Sequence, residues 1–170
     1  MRFANLVVAS AMLTGCTSTY TQNTLVELNT KMMRGKTVAI STPANGTYNG
    51  KPYIASGNMT AQVLKAAFAN FSSTTDVVSE CRDLPCLKGL SPRTYDYYAI
   101  PDILHWEDRN TEWSGIPDKV EVKISVYEGL SFKELASAIV SGKSKWATFG
   151  GDHPQDLLPE PMGNFVESLY

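Results

Sequence analysis

The stretch Lys119 to Tyr127 alternates without a break, with Val120, Val122, Ile124 and Val126 on one side and Lys119, Glu121, Lys123 and Ser125 on the other. Side chains of a strand point to opposite faces with period two, so this segment reads as a strand with one face in a core and the other wet. Such a strand needs hydrogen-bonded neighbours and a second layer over its apolar face. That requirement restricts the chain to a sheet covered on one side.

The neighbours are legible on both sides. Lys36 to Thr42 (KTVAIST) is a β-branched run that stops at Pro43 and predicts a first, interior strand. Asn45-Gly46 and Asn49-Gly50 are turn signals, with Tyr48 and Tyr53 beside them. From Asn58 the period changes, because Met59, Val63, Ala66, Ala67 and Phe71 recur at three- and four-residue steps. This predicts an amphipathic helix with Ser56 or Asn58 as its N-cap. Thr74 to Ser79 predicts a strand leading into a cysteine hairpin, and Tyr95 to Trp106 a long extended segment in which Pro101 marks a bulge or an edge. Glu134 to Lys145 returns after the Glu128-Gly129 turn. Pro161 to Leu169, with Met162, Phe165, Val166 and Leu169 at helical spacing, closes the chain. A strand-helix-strand start implies a right-handed parallel crossover, and the later short turns imply an antiparallel meander. The predicted fold is therefore α/β (α+β), a two-layer sandwich with a mixed, roughly five-stranded sheet, a long helix after the first strand and a C-terminal helix.

Ahead of this domain lies a different kind of segment. Arg2 precedes an apolar stretch, Phe3 to Leu13, that has the length of a signal-peptide core and is too short to span a bilayer. Leu13-Thr14-Gly15-Cys16 comes directly after it and resembles the bacterial lipobox. The resemblance implies that residues 1–15 are removed and that Cys16 becomes a lipidated first residue. Two or three acyl chains give stable anchoring, so the protein is expected to be tethered to a membrane and not to span it. Thr17 stands after Cys16 where inner-membrane retention is associated with aspartate, and this points to the periplasmic face of the outer membrane. Residues 16–35 read as the lipidated cysteine and a polar tether, and 36–170 as a single periplasmic domain. An extended tether of this length reaches at most about 70 Å.

Composition excludes more than it identifies. The 15 Lys and Arg against 17 Asp and Glu leave no basic surplus for nucleic acid, and Arg2 is lost with the leader. Two histidines and three cysteines leave little for metal chemistry. Neither H-x-x-x-H nor H-E-x-x-H spacing occurs, no cofactor box is found, and G-x-S-x-G is missing. The expectation is a non-enzyme without a cofactor or metal. Cys81 and Cys86 would lie in an oxidising compartment, where a local disulfide is the favoured reading. A reactive C-x4-C pair or half a zinc site is the alternative, without the usual redox spacing or a nearby third ligand.

Two tracts carry a wider likeness. Ile100 to Gly115 (IPDILHWEDRNTEWSG) and Ser141 to Pro161 (SGKSKWATFGGDHPQDLLPEP), together with the lipobox, resemble a family of small proteobacterial lipoproteins whose domain has no assigned function. That resemblance implies a periplasmic domain and carries over no catalytic residue. Strand order is loosely similar to sheet domains of the curli-secretion lipoprotein, the N-terminal domain of the Tol-system propeller protein and the lipoprotein activators of penicillin-binding proteins. Their last turn often carries Asp-x-x-x-Gly, and this chain departs from it with Glu128-Gly129-Leu130.

The same tracts hold the candidate site. His105, Trp106, Arg109 and Trp113 gather at one strand end, and Trp146, Asp152 and His153 precede the closing helix. If the two loops meet, they form a Trp- and His-lined pocket for a small ligand or cell-wall fragment. If they do not, the tryptophans are core or hairpin anchors and Arg109 pairs with Glu107 or Glu112. The function expected first is an accessory lipoprotein that binds an envelope protein through a sheet edge or these loops. The ligand-binding module is the alternative, and an envelope enzyme using His105 or His153 as a base comes last.

Overall fold

The computed structural model describes residues 18–90, 94–109, 116–145 and 153–170. Strands β1 (Thr19–Val26), β2 (Thr37–Ser41), β5 (Thr74–Val78), β6 (Tyr97–Glu107), β7 (Lys119–Glu128) and β8 (Glu134–Lys143) form one mixed sheet in the order β1-β8-β7-β6-β2-β5. A small ribbon, β3 (Thr47–Tyr48) with β4 (Lys51–Pro52), lies beside it. The helices are α1 (Ser56–Ala69), α2 (Leu84–Lys88) and α3 (Pro159–Leu169), with a single 3-10 turn, Pro154–Leu157, ahead of α3.

β2 pairs in parallel with both β5 and β6, whereas β6, β7, β8 and β1 are antiparallel. The predicted α/β sandwich, with a helix after the interior strand and a helix at the end, is the observed architecture. Val120, Val122, Ile124 and Val126 lie buried under Leu64 and Phe68 of α1 and Met162, Phe165 and Val166 of α3 in one continuous cluster. Each such side chain contributes about 1.5–3 kcal/mol by leaving water.

Four readings change. The segment expected to be a tether is instead β1, which pairs with β8 from Thr19↔Lys143 to Val26↔Ser137 and makes the sheet six-stranded. Its Thr, Gln and Asn side chains hid it, because an outermost strand of this kind buries almost nothing. The cysteine hairpin is instead the short helix α2, capped by Asp83, whose Oδ1 accepts from the Cys86 N–H at 2.9 Å. The Cys81–Cys86 disulfide is formed, with Cα atoms 5.3 Å apart, and ties α2 to the end of the β5 turn. The first residue ahead of α1 is Ala55 and not Ser56 or Asn58. Ala55 sits at φ 71°, while the Ser56 hydroxyl donates back to the Tyr53 carbonyl at 2.7 Å. Finally, the second sheet face is wet only in part, because Ala39, Val78, Cys81, Leu87, Tyr95 and Tyr98 make a smaller core there.

Of the two expectations attached to Pro101, the edge is observed; the bulge lies further along, while Pro101 itself pairs in regular register with Ile124. β2 pairs with β6 only across Tyr97–Ala99, so from Pro101 onward β6 has no strand paired on that side among the described residues. The register with β7 then shifts between Ile103 and His105. The bulge bends the far end of β6, and this bent end carries the candidate site.

Candidate functional site

Beyond the bulge, Trp106 stands opposite Val120 and points into the core, where it is 2% exposed. Gly46 leaves it room, since a Cβ there would lie 2.5 Å from the Trp106 Cβ. Trp106 is therefore a core anchor. Alternation turns His105 and Glu107 to the opposite face.

Glu107 is the centre of the first group. Its carboxylate is 4% exposed, pairs with the Arg109 guanidinium and lies 3.0 Å from His105 Nε2. Arg109 also donates to the Tyr48 hydroxyl at 3.1 Å, and the Tyr48 ring meets His105 edge-on at 5.6 Å. Burial pushes the Glu107 carboxyl up, but the bonds from His105, Arg109 and Tyr48 together with the Arg109 charge outweigh it and hold it below the usual value. The same partnership raises Arg109, chiefly through the Glu107 bond. The expected pairing of Arg109 with Glu107 is thus observed.

The second group forms where three segments meet. His153 precedes the 3-10 turn, and its Nδ1 lies 3.2 Å from Asp108 Oδ1. Asp118 precedes β7 and accepts on Oδ1 from the Arg109 backbone N–H at 2.7 Å. Its own N–H donates to Ser144 Oγ at 2.9 Å, and the Ser144 N–H returns to the Asp118 carbonyl. Tyr53 holds the turn from the other side, its hydroxyl donating to the Asp108 carbonyl at 2.9 Å. His153 is raised first by its bond to Asp108, against some burial, and then by the charges of Asp108, Asp156 and Asp118. Asp118 is raised by burial above all, despite the Arg109 N–H, with Asp108 and Glu107 adding repulsion.

Of the predicted residues, His105 and Arg109 join around Glu107, and His153 joins Asp108 and Asp118, so each imidazole serves a separate carboxylate. Trp113, Trp146, Asp152 and Cys16 lie outside the described residues. Sequence reasoning missed Asp118, Tyr48 and Tyr53 as partners. The signals for the tyrosines were the two Asn-Gly turns that flank Tyr48. For Asp118 the one signal was an acidic residue set directly before the strongest strand. Among the described residues no hydroxyl or thiol nucleophile is hydrogen-bonded to either histidine. Among the described residues, one hollow with charged walls lies away from these groups, between Arg82, Pro101, Asp102 and Lys123.

A family described as "Domain of unknown function (DUF4823)" matches residues 30–169. No curated protein matches the sequence. Among solved structures, the chain is similar to the PelC dodecamer from Paraburkholderia phytofirmans at 12% identity and a TM-score of 0.67, over 89% of this chain and 96% of that one. It is also similar to protein XCC0632 from Xanthomonas campestris, of family DUF330, at 12% identity and a TM-score of 0.53, over 83% and 87% of the two chains. At such identities the likeness is one of fold.

Proposed function

The chain belongs to the DUF4823 family of unknown function, and from that premise we propose that it is a lipid-anchored accessory protein of the outer membrane, facing the periplasm, that binds an extended segment of another envelope protein along β1. The observation that carries this reading is the unguarded edge of β1. Natural sheets protect their edges with lysine, proline, short strands or inward charges. The eight residues Thr19–Val26 hold no charge and no proline, and among the described residues they pair with a strand on one side only, β8. At the opposite edge β5 is short and carries Asp76. Backbone N–H and C=O groups along Thr21–Val26 that do not face β8 can pair with an added strand.

Two further points support the reading. β1 begins at Thr19, directly after the predicted lipid at Cys16, so the edge would lie close to the membrane surface. PelC, which shares the fold, is a dodecamer, so this fold is compatible with protein–protein contacts. Nothing among the described residues favours a Trp-lined pocket, since Trp106 belongs to the core. The proposal assigns no catalytic step to His105 or His153, since among the described residues no hydroxyl or thiol is hydrogen-bonded to either.

Photo-crosslinking in intact cells tests this directly. A photoreactive side chain at Asn23 on β1 is expected to give a discrete adduct with one envelope protein, while the same probe at Gln62 on the exposed side of α1 gives none. An adduct with a second copy of the chain would identify a self-associating edge instead. Equal labelling from both positions, or none from either, would contradict the proposal.

A further inference from the structure

We propose that Asp108, Asp118 and His153 form a binding site for one divalent transition-metal ion of the zinc type. Each residue comes from a different segment: the end of β6, the start of β7 and the entry to the 3-10 turn. One ligand atom from each lies within 4.8 Å of the others. Ligands of a tetrahedral zinc ion at about 2.0–2.2 Å stand about 3.4 Å apart. The 3.2 Å between His153 Nδ1 and Asp108 Oδ1 already has that spacing. His153, with a side chain that is 54% exposed, has room to adjust toward a bound ion.

Asp118 supplies the second, independent reason. It is more than nine-tenths buried, yet among the described residues its carboxylate accepts a single hydrogen bond, from the Arg109 N–H to Oδ1. Burying a carboxylate is costly, and the positive charge that acts on Asp118 in the fold is that of His153, the residue a bound ion would join. The nearest guanidinium, that of Arg109, is committed to Glu107 and Tyr48, and only its backbone reaches Asp118. Metal binding takes an imidazole that has given up its proton, and the two carboxylates then supply two negative charges, which a divalent ion matches. One imidazole nitrogen with two carboxylate oxygens suits zinc and its neighbours better than calcium or magnesium, which prefer all-oxygen shells.

The support around the three ligands is already built. Tyr53 fixes the Asp108 backbone, Ser144 fixes that of Asp118, and Asp156 accepts from the His153 N–H at 3.1 Å. Such outer contacts orient metal ligands before the ion arrives. The missing H-x-x-x-H spacing is no obstacle, because the site is assembled from three segments and not from one helix. This inference is independent of the β1 edge, and either can fail alone.

The test is titration of the full-length, detergent-solubilised protein with zinc after chelator treatment, followed by calorimetry. One saturable site is expected, with affinity at least about tenfold weaker in His153→Gln and in Asp118→Asn. Cobalt in place of zinc should give visible absorption bands in the parent protein and lose them in His153→Gln. His153→Gln changes an exposed side chain, so its result stands even if Asp118→Asn folds poorly. No saturable binding, or binding unchanged in His153→Gln, overturns the proposal.

Discussion

The backbone N–H of Arg109 donates to Asp118 Oδ1 at 2.7 Å, and this bond joins the end of β6 to the start of β7 across the loop between them. Asp118 is bound in turn to Ser144 at the end of β8, so one residue pins three strand ends. Because burial raises its carboxyl, the charged form is disfavoured in the fold and costs stability at neutral pH. Asp118→Asn keeps the acceptor and removes the charge, and in chelator at pH 7 it should be at least as stable as the parent. Asp118→Ala leaves the Arg109 N–H without its partner and should lose about 1–3 kcal/mol. Urea unfolding of the three proteins checks both signs.

Asp96 predicts the acid limb of stability. The Thr37 N–H and hydroxyl both donate to its Oδ2 at 2.9 Å, and Lys36 lies 3.2 Å from Oδ1. The Thr37 backbone bond, working against slight burial, and then the Thr37 hydroxyl and Lys36 hold the carboxyl below its ordinary 3.8. A lowered folded value means that the stabilisation is present above the unfolded value and is lost as pH falls through the folded one. Glu107, likewise lowered, acts in the same direction from its ordinary 4.5 downward. The urea midpoint should therefore drop steeply below about pH 4, and Asp96→Asn should flatten part of that drop. An unchanged slope in the variant would remove Asp96 from the account.

Much of this fold was legible in the sequence, and the failures share physical causes. β7 was plain because Val120, Val122, Ile124 and Val126 all enter the same core. β1 was opaque because Thr19, Thr21, Gln22, Asn23 and Thr24 remain exposed even after pairing, and no apolar alternation announces an edge strand. α2 did leave a signal, Asp83 two residues before Pro85, which is an N-cap with a helix-compatible proline behind it. At the site, His105, Arg109 and His153 were visible as clustered polar residues. Which carboxylate each would meet depended on the β6 bulge at Ile103/His105, and single-sequence periodicity carries no trace of that register shift.

Ala55 offers a gain. It holds φ 71° at the start of α1, a left-handed conformation that its Cβ makes unfavourable. Ala55→Gly should stabilise the protein by about 0.5–1 kcal/mol, the relief of strain exceeding the added freedom of the unfolded chain. A lower melting temperature in Ala55→Gly would contradict this.

The Cys81–Cys86 bridge closes a loop with a sequence separation of 5. Chain entropy for so short a loop gives about 2 kcal/mol. Reduction should lower the unfolding free energy by roughly that amount without unfolding the sheet, because Cys81 belongs to the smaller core and the main cluster lies on the other face. Far-ultraviolet circular dichroism with and without reductant at 25 °C checks the retained sheet. Collapse of the whole fold on reduction would assign the bridge a larger role.

Hydrogen exchange along β1 tests the proposed partner-binding edge most directly. Among the described residues, the amides of Thr21–Val26 that face away from β8 have no strand beside them in the isolated chain. Their exchange should be fast in the purified full-length protein and at least about tenfold slower in native envelope membranes, with α1 unchanged between the two. Equally fast exchange of those amides in both preparations would contradict binding along β1.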